Sequence, residues 1–326
     1  MSPAARSRAW LTGSAIAFLA GALLLPLAGP SPLDYGALLA RREPEWSILV
    51  QLRISRTLLA LFAGGALALA GSLFQAMLRE ALATPYTLGV STGASLGAVA
   101  VIAAGGHTLF GVPALWMGAL AGAAAVLLLT VGSAAGPGRI SAFGLLLTGI
   151  ATNSVCSAAI LVLHGFASMA RSFSIARWLL GGVDAIAYSA LVPFAVLVTL
   201  VTAWVLAHAR QWNLLAVGED WASARGARVS HLMLGGYTAG SLLAASTVAL
   251  TGPIGFVGLI VPHLARSRVG ADHRLLMPCS FLMGGVLLAG CDAVGRSLLA
   301  PAEVPAGALM ALLGGPYLVW LVRQRG

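Results

Sequence analysis

Apolar residues run through this chain in long blocks, and polar residues are confined to the short gaps between them. A helix needs roughly 20 apolar residues, at about 1.5 Å rise each, to cross about 30 Å of hydrocarbon. Runs of that kind predict helices at 10–29, 54–78, 87–104, 112–133, 142–163, 189–208, 230–250, 254–266, 276–293 and 304–322. The eighth run is too short to cross as a straight helix, so its ends are expected to be buried among neighbours. The predicted class is all-α: a polytopic membrane protein of about ten transmembrane helices, with 1–326 forming one membrane domain.

Composition strengthens that reading. The 326 residues are 59% hydrophobic and 9% charged, with a mean hydropathy of +0.93. Such a chain has too little polar surface to cover a soluble globule, so lipid must cover it. The formal charge of +9 would point to nucleic acid in a soluble protein, but here the basic residues sit in the gaps, where they set membrane orientation. With ten spans both termini share a side. Placing them inside puts twelve of the 19 basic residues inside and seven outside, which favours cytoplasmic termini.

All 19 basic residues are arginine. A phosphate-binding loop of the G-x-x-x-x-G-K-[ST] type needs a lysine, so this chain carries none, and any ATP-driven step falls to another polypeptide. The stretch from Trp10 to Gly29, after Arg6 and Arg8, imitates a secretory signal, but its apolar run exceeds the usual span of about 7–15 residues and it is read as a retained first helix. Cys156, Cys279 and Cys291 fall inside apolar runs without C-x-x-C spacing and are read as packing residues. Six histidines are scattered without paired spacing, so no metal site is expected. All ten acidic residues, Asp292 and Glu303 among them, fall in predicted loops or at helix ends. That placement argues against an ion-coupled secondary transporter and against an intramembrane acid–base enzyme, the competing classes.

Three segments carry most of the remaining information: Arg53 to Ala100, Gly252 to Pro278, and Ala289 to Arg323. In the second, Gly252, Gly255 and Gly258 recur every third residue as a small face for close helix packing, and Pro262 is expected to end or kink the helix just before His263. Taken in order, the three resemble the FecCD/BtuC-like permease family of type II ABC importers, which carry haem, ferric siderophores or cobalamin. The resemblance implies a homodimer in a bacterial inner membrane, two separate ATPase subunits holding ATP and Mg, a periplasmic binding protein that delivers cargo, and no resident cofactor. Haem stands slightly ahead among the cargoes, on the Arg and His residues near the outer mouth.

The resemblance also implies roles for residues. Arg53, Arg56 and Arg296 match outer-mouth positions that accept acidic residues of the binding protein. The loop 213–231 matches the segment that seats on the ATPase, with Gly218, Glu219, Ala222 and Gly226 fitting the family pattern and Ser223 departing from it. Glu80 and Leu82, with Ser141, Ala142 and Phe143, match the cytoplasmic gate, where Glu80-Ala81 replaces a common Asn-Pro pair. Thr148, Thr152 and Cys156, with Asn153 beside them, fall near one stripe of a pathway-lining helix, a stripe that helix packing explains equally well. In the external segment 164–188, His164, Met169, Arg171 and Arg177 are candidate cargo contacts.

Overall fold

The computed structural model describes residues 3–29, 34–106, 108–109, 112–136, 139–299 and 302–323. Thirteen helices organise them: α1 (Pro3–Leu24), α2 (Glu45–Leu78), α3 (Val90–Ala104), α4 (Ala114–Ala134), α5 (Ala142–Phe166), α6 (Met169–Leu179), α7 (Tyr188–Ala207), α8 (Ala209–Val217), α9 (Glu219–Ala224), α10 (Val229–Thr251), α11 (Val257–Val269), α12 (His273–Leu298) and α13 (Ala306–Arg323). A further short helical turn, Tyr35–Leu39, is capped by Asp34. The all-α expectation needs one correction. Two-residue antiparallel pairs, Thr108–Leu109 with Val112–Pro113 and Ala135–Gly136 with Arg139–Ile140, lead into α4 and α5.

Each of the ten apolar runs contains helix. Among the described residues, seven helices are long and apolar enough to span a membrane, and α3 and α13 are shorter apolar helices. The 13-residue α11 packs between α2 and α12. The second helix begins at Glu45 rather than 54, through a π-helical stretch Ile48–Ile54 that continues into Ser55–Leu78. Arg53 is therefore a helical residue rather than a loop residue, on the same helix as Arg56.

Helix α2 is the central element, packed against α10, α11 and α12. Its sequence is rich in Ala and Gly because lipid offers no hydrophobic drive between helices, and close backbone packing must hold them together. A Cβ on Gly64 would overlap the Gly284 backbone, and one on Gly71 would overlap the Gly258 backbone. Gly93 and Gly97 meet Gly118 and Gly122 in the same way where α3 crosses α4.

The predicted face of Gly252, Gly255 and Gly258 resolves differently. Only Gly258 lies at a helix crossing; Gly252 ends α10 at φ +67°, and a Cβ on Gly255 would meet nothing within 4 Å. Pro262 does not end its helix, since α11 continues to Val269. A proline cannot donate to the carbonyl four residues earlier, here that of Gly258. Gln75 Nε2 donates to that oxygen at 3.3 Å, and Arg266 Nη2 donates to Gln75 Oε1 at 3.4 Å. A buried amide thus replaces the hydrogen bond that Pro262 removes. Gln75→Leu is expected to leave the Gly258 carbonyl unpaired and to cost about 1–3 kcal/mol, read as a lower thermal midpoint in detergent.

Candidate functional site

Charge collects at two ends of the bundle. At the first, which we term the mouth, α2 brings Arg53 and Arg56 beside Asp292 and Arg296 of α12. Arg56 Nε donates to both Asp292 oxygens at 3.1 and 3.2 Å, and Arg56 Nη2 donates to Asp292 Oδ1 at 2.9 Å. The same Nη2 donates to Glu303 Oε2 at 2.9 Å. Asp292 and Arg296, one helical turn apart, form an ion pair at 3.1 Å. Two guanidiniums therefore compensate one carboxylate that is only 2% exposed.

Asp292 corrects the expectation that acidic residues stay at helix ends. It sits inside α12, two turns before the terminus, because α2 supplies its counter-charge. Arg53 and Arg296 also turn inward. Arg53 Nη1 donates to the Leu27 carbonyl at 3.3 Å and Arg296 Nη1 to the Ala28 carbonyl at 3.4 Å. These carbonyls end the 3-10 turn Leu25–Leu27 that follows α1, where arginine is a favoured partner. Arg53 and Arg296 are 5% and 4% exposed. Of the three expected docking arginines, Arg56 alone opens onto the adjoining cleft.

That cleft has a volume of about 910 Å³ and is lined by Arg56, Arg177, Asp184 and Glu303 together with apolar residues of α3, α4, α6 and α10. Among the four cargo candidates only Arg177 lines it. Arg171 Nη1 instead donates to the Ala103 carbonyl at 2.8 Å, closing α3. His164 Nε2 meets Ser172 Oγ at 2.9 Å and ties α5 to α6, while Met169 is exposed.

The opposite end carries the segment around 213–231. It folds as α8, which starts at Ala209, and α9, joined at Gly218. Trp212 and Leu215 anchor α8 in the core, with Trp212 Nε1 donating to the Val205 carbonyl at 2.9 Å. Glu219 reaches Arg79 at 3.8 Å, Ala222 is buried, and Gly226 turns the chain at φ +80°. Asn213 bridges this segment to the start of α12, donating to Asp272 Oδ1 at 2.7 Å and accepting from the His273 amide at 2.8 Å. Partial burial opposes ionisation of Asp272, but hydrogen bonds from Asn213 and the Arg274 backbone outweigh it and hold the carboxyl below its usual range.

The two expected gate segments do not share the pocket that Glu80 lines. Glu80 and Leu82 line a pocket of about 240 Å³ with His263 and Tyr317. Ser141 caps α5, its Oγ accepting from the Gly144 amide at 3.2 Å, and Ala142 is half-buried. Phe143 is 73% exposed and lies outside that pocket. Along α5, Cys156 is buried, Thr148 and Thr152 are half-buried, and Asn153 accepts a hydrogen bond from Thr92 of α3. A Cβ on Gly89, just before α3, would touch the Gly149 carbonyl and the Asn153 amide. Within the single chain, Thr152 and Asn153 of this stripe pack against α3 and its N-terminal turn.

Comparison with known proteins fits this architecture. The model of the FecCD transport family matches residues 12–324. The chain belongs to the FecCD transport family. It is 39% identical to the hemin transport system permease protein HmuU of Yersinia pestis, over 87% of this chain and 85% of the relative. It is 34% identical to the vitamin B12 import system permease protein BtuC of Klebsiella pneumoniae, over 98% and 96%. Against the Fe(3+) dicitrate transport system permease protein FecC of Escherichia coli it is 33% identical, over 87% and 85%. A solved metal-chelate type ABC transporter in an inward-facing conformation superposes with a TM-score of 0.85 at 30% identity, covering 97% of this chain and 99% of that one.

Within this FecCD-family chain, sequence reasoning missed Asp292, Glu303 and Gln75 as interacting residues. Gln75 had a visible signal, a lone amide in the apolar run Leu73-Phe74-Gln75-Ala76-Met77. Asp292 had a weaker one, sitting one helical turn before Arg296. Glu303 had none.

Proposed function

We propose that the chain is the permease subunit of an ATP-driven importer that passes haem, or another iron chelate, from a periplasmic binding protein to the cytoplasm. The observation that carries this reading is the whole-length superposition on a metal-chelate type ABC transporter. The 39% identity to a hemin permease supports haem, ahead of ferric siderophore and cobalamin. In this reading two copies pair, two ATPase subunits hold ATP and Mg and seat against α8 and α9, and ten helices cross a bacterial inner membrane with both termini cytoplasmic. Glu80 and Leu82 of one constriction and Phe143 of the other then close the cytoplasmic exit across the dimer. Docking falls on Arg56, because its guanidinium opens onto the cleft and suits charge-assisted pairing with an acidic side chain.

Proteoliposomes holding the permease and its ATPase test this reading, with cargo-loaded binding protein inside or outside the vesicle. Haem is expected to enter only with ATP and binding protein both present, and faster than a ferric siderophore or cobalamin. Transport without nucleotide would overturn the primary-active mechanism. Preference for cobalamin would keep the mechanism and replace the cargo.

A further inference from the structure

Arg56 holds two carboxylates of unequal permanence. Asp292 is 2% exposed and takes both Nε and Nη2. The Glu303 side chain is 45% exposed and touches Arg56 through Nη2 alone. Removing one member of a buried pair strands a charge, whereas a half-solvated pair is easily exchanged. Arg56 and Glu303 both line the 910 Å³ cleft, a space able to admit another side chain. An acid arriving there would find its position filled. Exchange of one carboxylate for another would keep the guanidinium compensated throughout.

We propose that Glu303 is an internal stand-in for an acidic side chain of the docking protein, displaced when that protein binds. This rests on the docking role of Arg56 given above. Glu303 lies three residues before α13, and its neighbours are tied in: the Val304 amide donates to the Gly295 carbonyl at 3.1 Å and the Gly307 amide to the Gly181 carbonyl at 3.0 Å. Displacement therefore acts directly on the entry to α13, the helix that also supplies Tyr317 to the pocket containing Glu80 and Leu82. The stand-in weakens docking by competition and makes movement of this connection a consequence of docking.

The test uses the permease–ATPase complex in nanodiscs and the cargo-free binding protein of the same transporter, with Kd measured by biolayer interferometry. Glu303→Gln is expected to bind the protein roughly two- to five-fold more tightly, the range expected for release of a partly exposed ion pair. Asp184→Asn removes a negative charge from the same cleft without touching Arg56, and is expected to change affinity less. Amide hydrogen exchange at residues 302–307 should rise in Glu303→Gln without partner, and in the wild type only when partner is added. Equal or weaker binding by Glu303→Gln, an equal gain from Asp184→Asn, or unchanged exchange would overturn the stand-in while leaving docking intact. If Arg56→Glu binds as the wild type does, or the wild type does not bind, the docking role itself falls and the proposal falls with it.

Discussion

Asp292→Asn is expected to lose about 3–5 kcal/mol of stability, the cost of leaving buried charge without its partner. The substitution keeps the side-chain volume, so the loss isolates charge from packing. Arg56 and Arg296 would then face each other across α2 and α12 with only the half-exposed Glu303 to compensate them. Glu303→Gln at the rim should cost no more than about 1 kcal/mol. Thermal midpoints of the detergent-purified variants, followed by size-exclusion profile, measure the difference. Replacing Asp292, Arg56 and Arg296 together with apolar residues of similar volume should recover much of the lost stability, because a buried ion cluster contributes little net energy beyond its mutual compensation. A midpoint for Asp292→Asn equal to that of Glu303→Gln would show that water reaches the cluster and screens it.

The second large effect is expected at Gly71. A Cβ there would lie 2.6 Å from the Gly258 Cα and closer still to its carbonyl. Both obstacles are backbone, held in two packed helices, so neither can rotate away as a side chain would. Gly71→Val should force α2 and α11 apart and cost at least about 1–3 kcal/mol, the usual penalty of overpacking. It would also pull Gln75 from the Gly258 carbonyl, one turn further along the same crossing. Gly290→Ala is the matched control: it is helical, and its Cβ would meet nothing within 4 Å. That variant should be neutral or gain roughly 0.5–1 kcal/mol from better helix propensity. Equal thermal midpoints for the two variants would mean that the α2–α11 crossing tolerates separation and that glycine there is not a packing requirement.

Much of the architecture was legible in the sequence, for a definite reason. Whether a segment is apolar enough to leave water depends on its own residues, so ten helical runs could be located without knowing any contact. Loop arginine bias, the absence of lysine and the three ordered motifs are likewise local properties, and the family resemblance read from the motifs is borne out. The same locality explains the errors. Gly252 and Gly255 share the spacing of Gly258, but spacing does not reveal that α10 ends at Thr251, so that the first two fall outside a helix crossing. That the helix continues through Pro262 is likewise hidden, because the compensating donor, Gln75, is 187 positions away along the chain, on another helix.

The arginines show where sequence stops. Arg53, Arg56 and Arg296 look alike in one dimension: each is a cation near an apolar run on the same side. Only tertiary structure decides that two of them bind the turn that follows α1 and that the third is shared between a buried and an exposed carboxylate. Arg56 and Asp292 lie 236 residues apart. Transfer from water to lipid is a property of each segment and is written in its composition. Pairing of buried charges is a property of two surfaces brought together, and it exists only once the helices have packed.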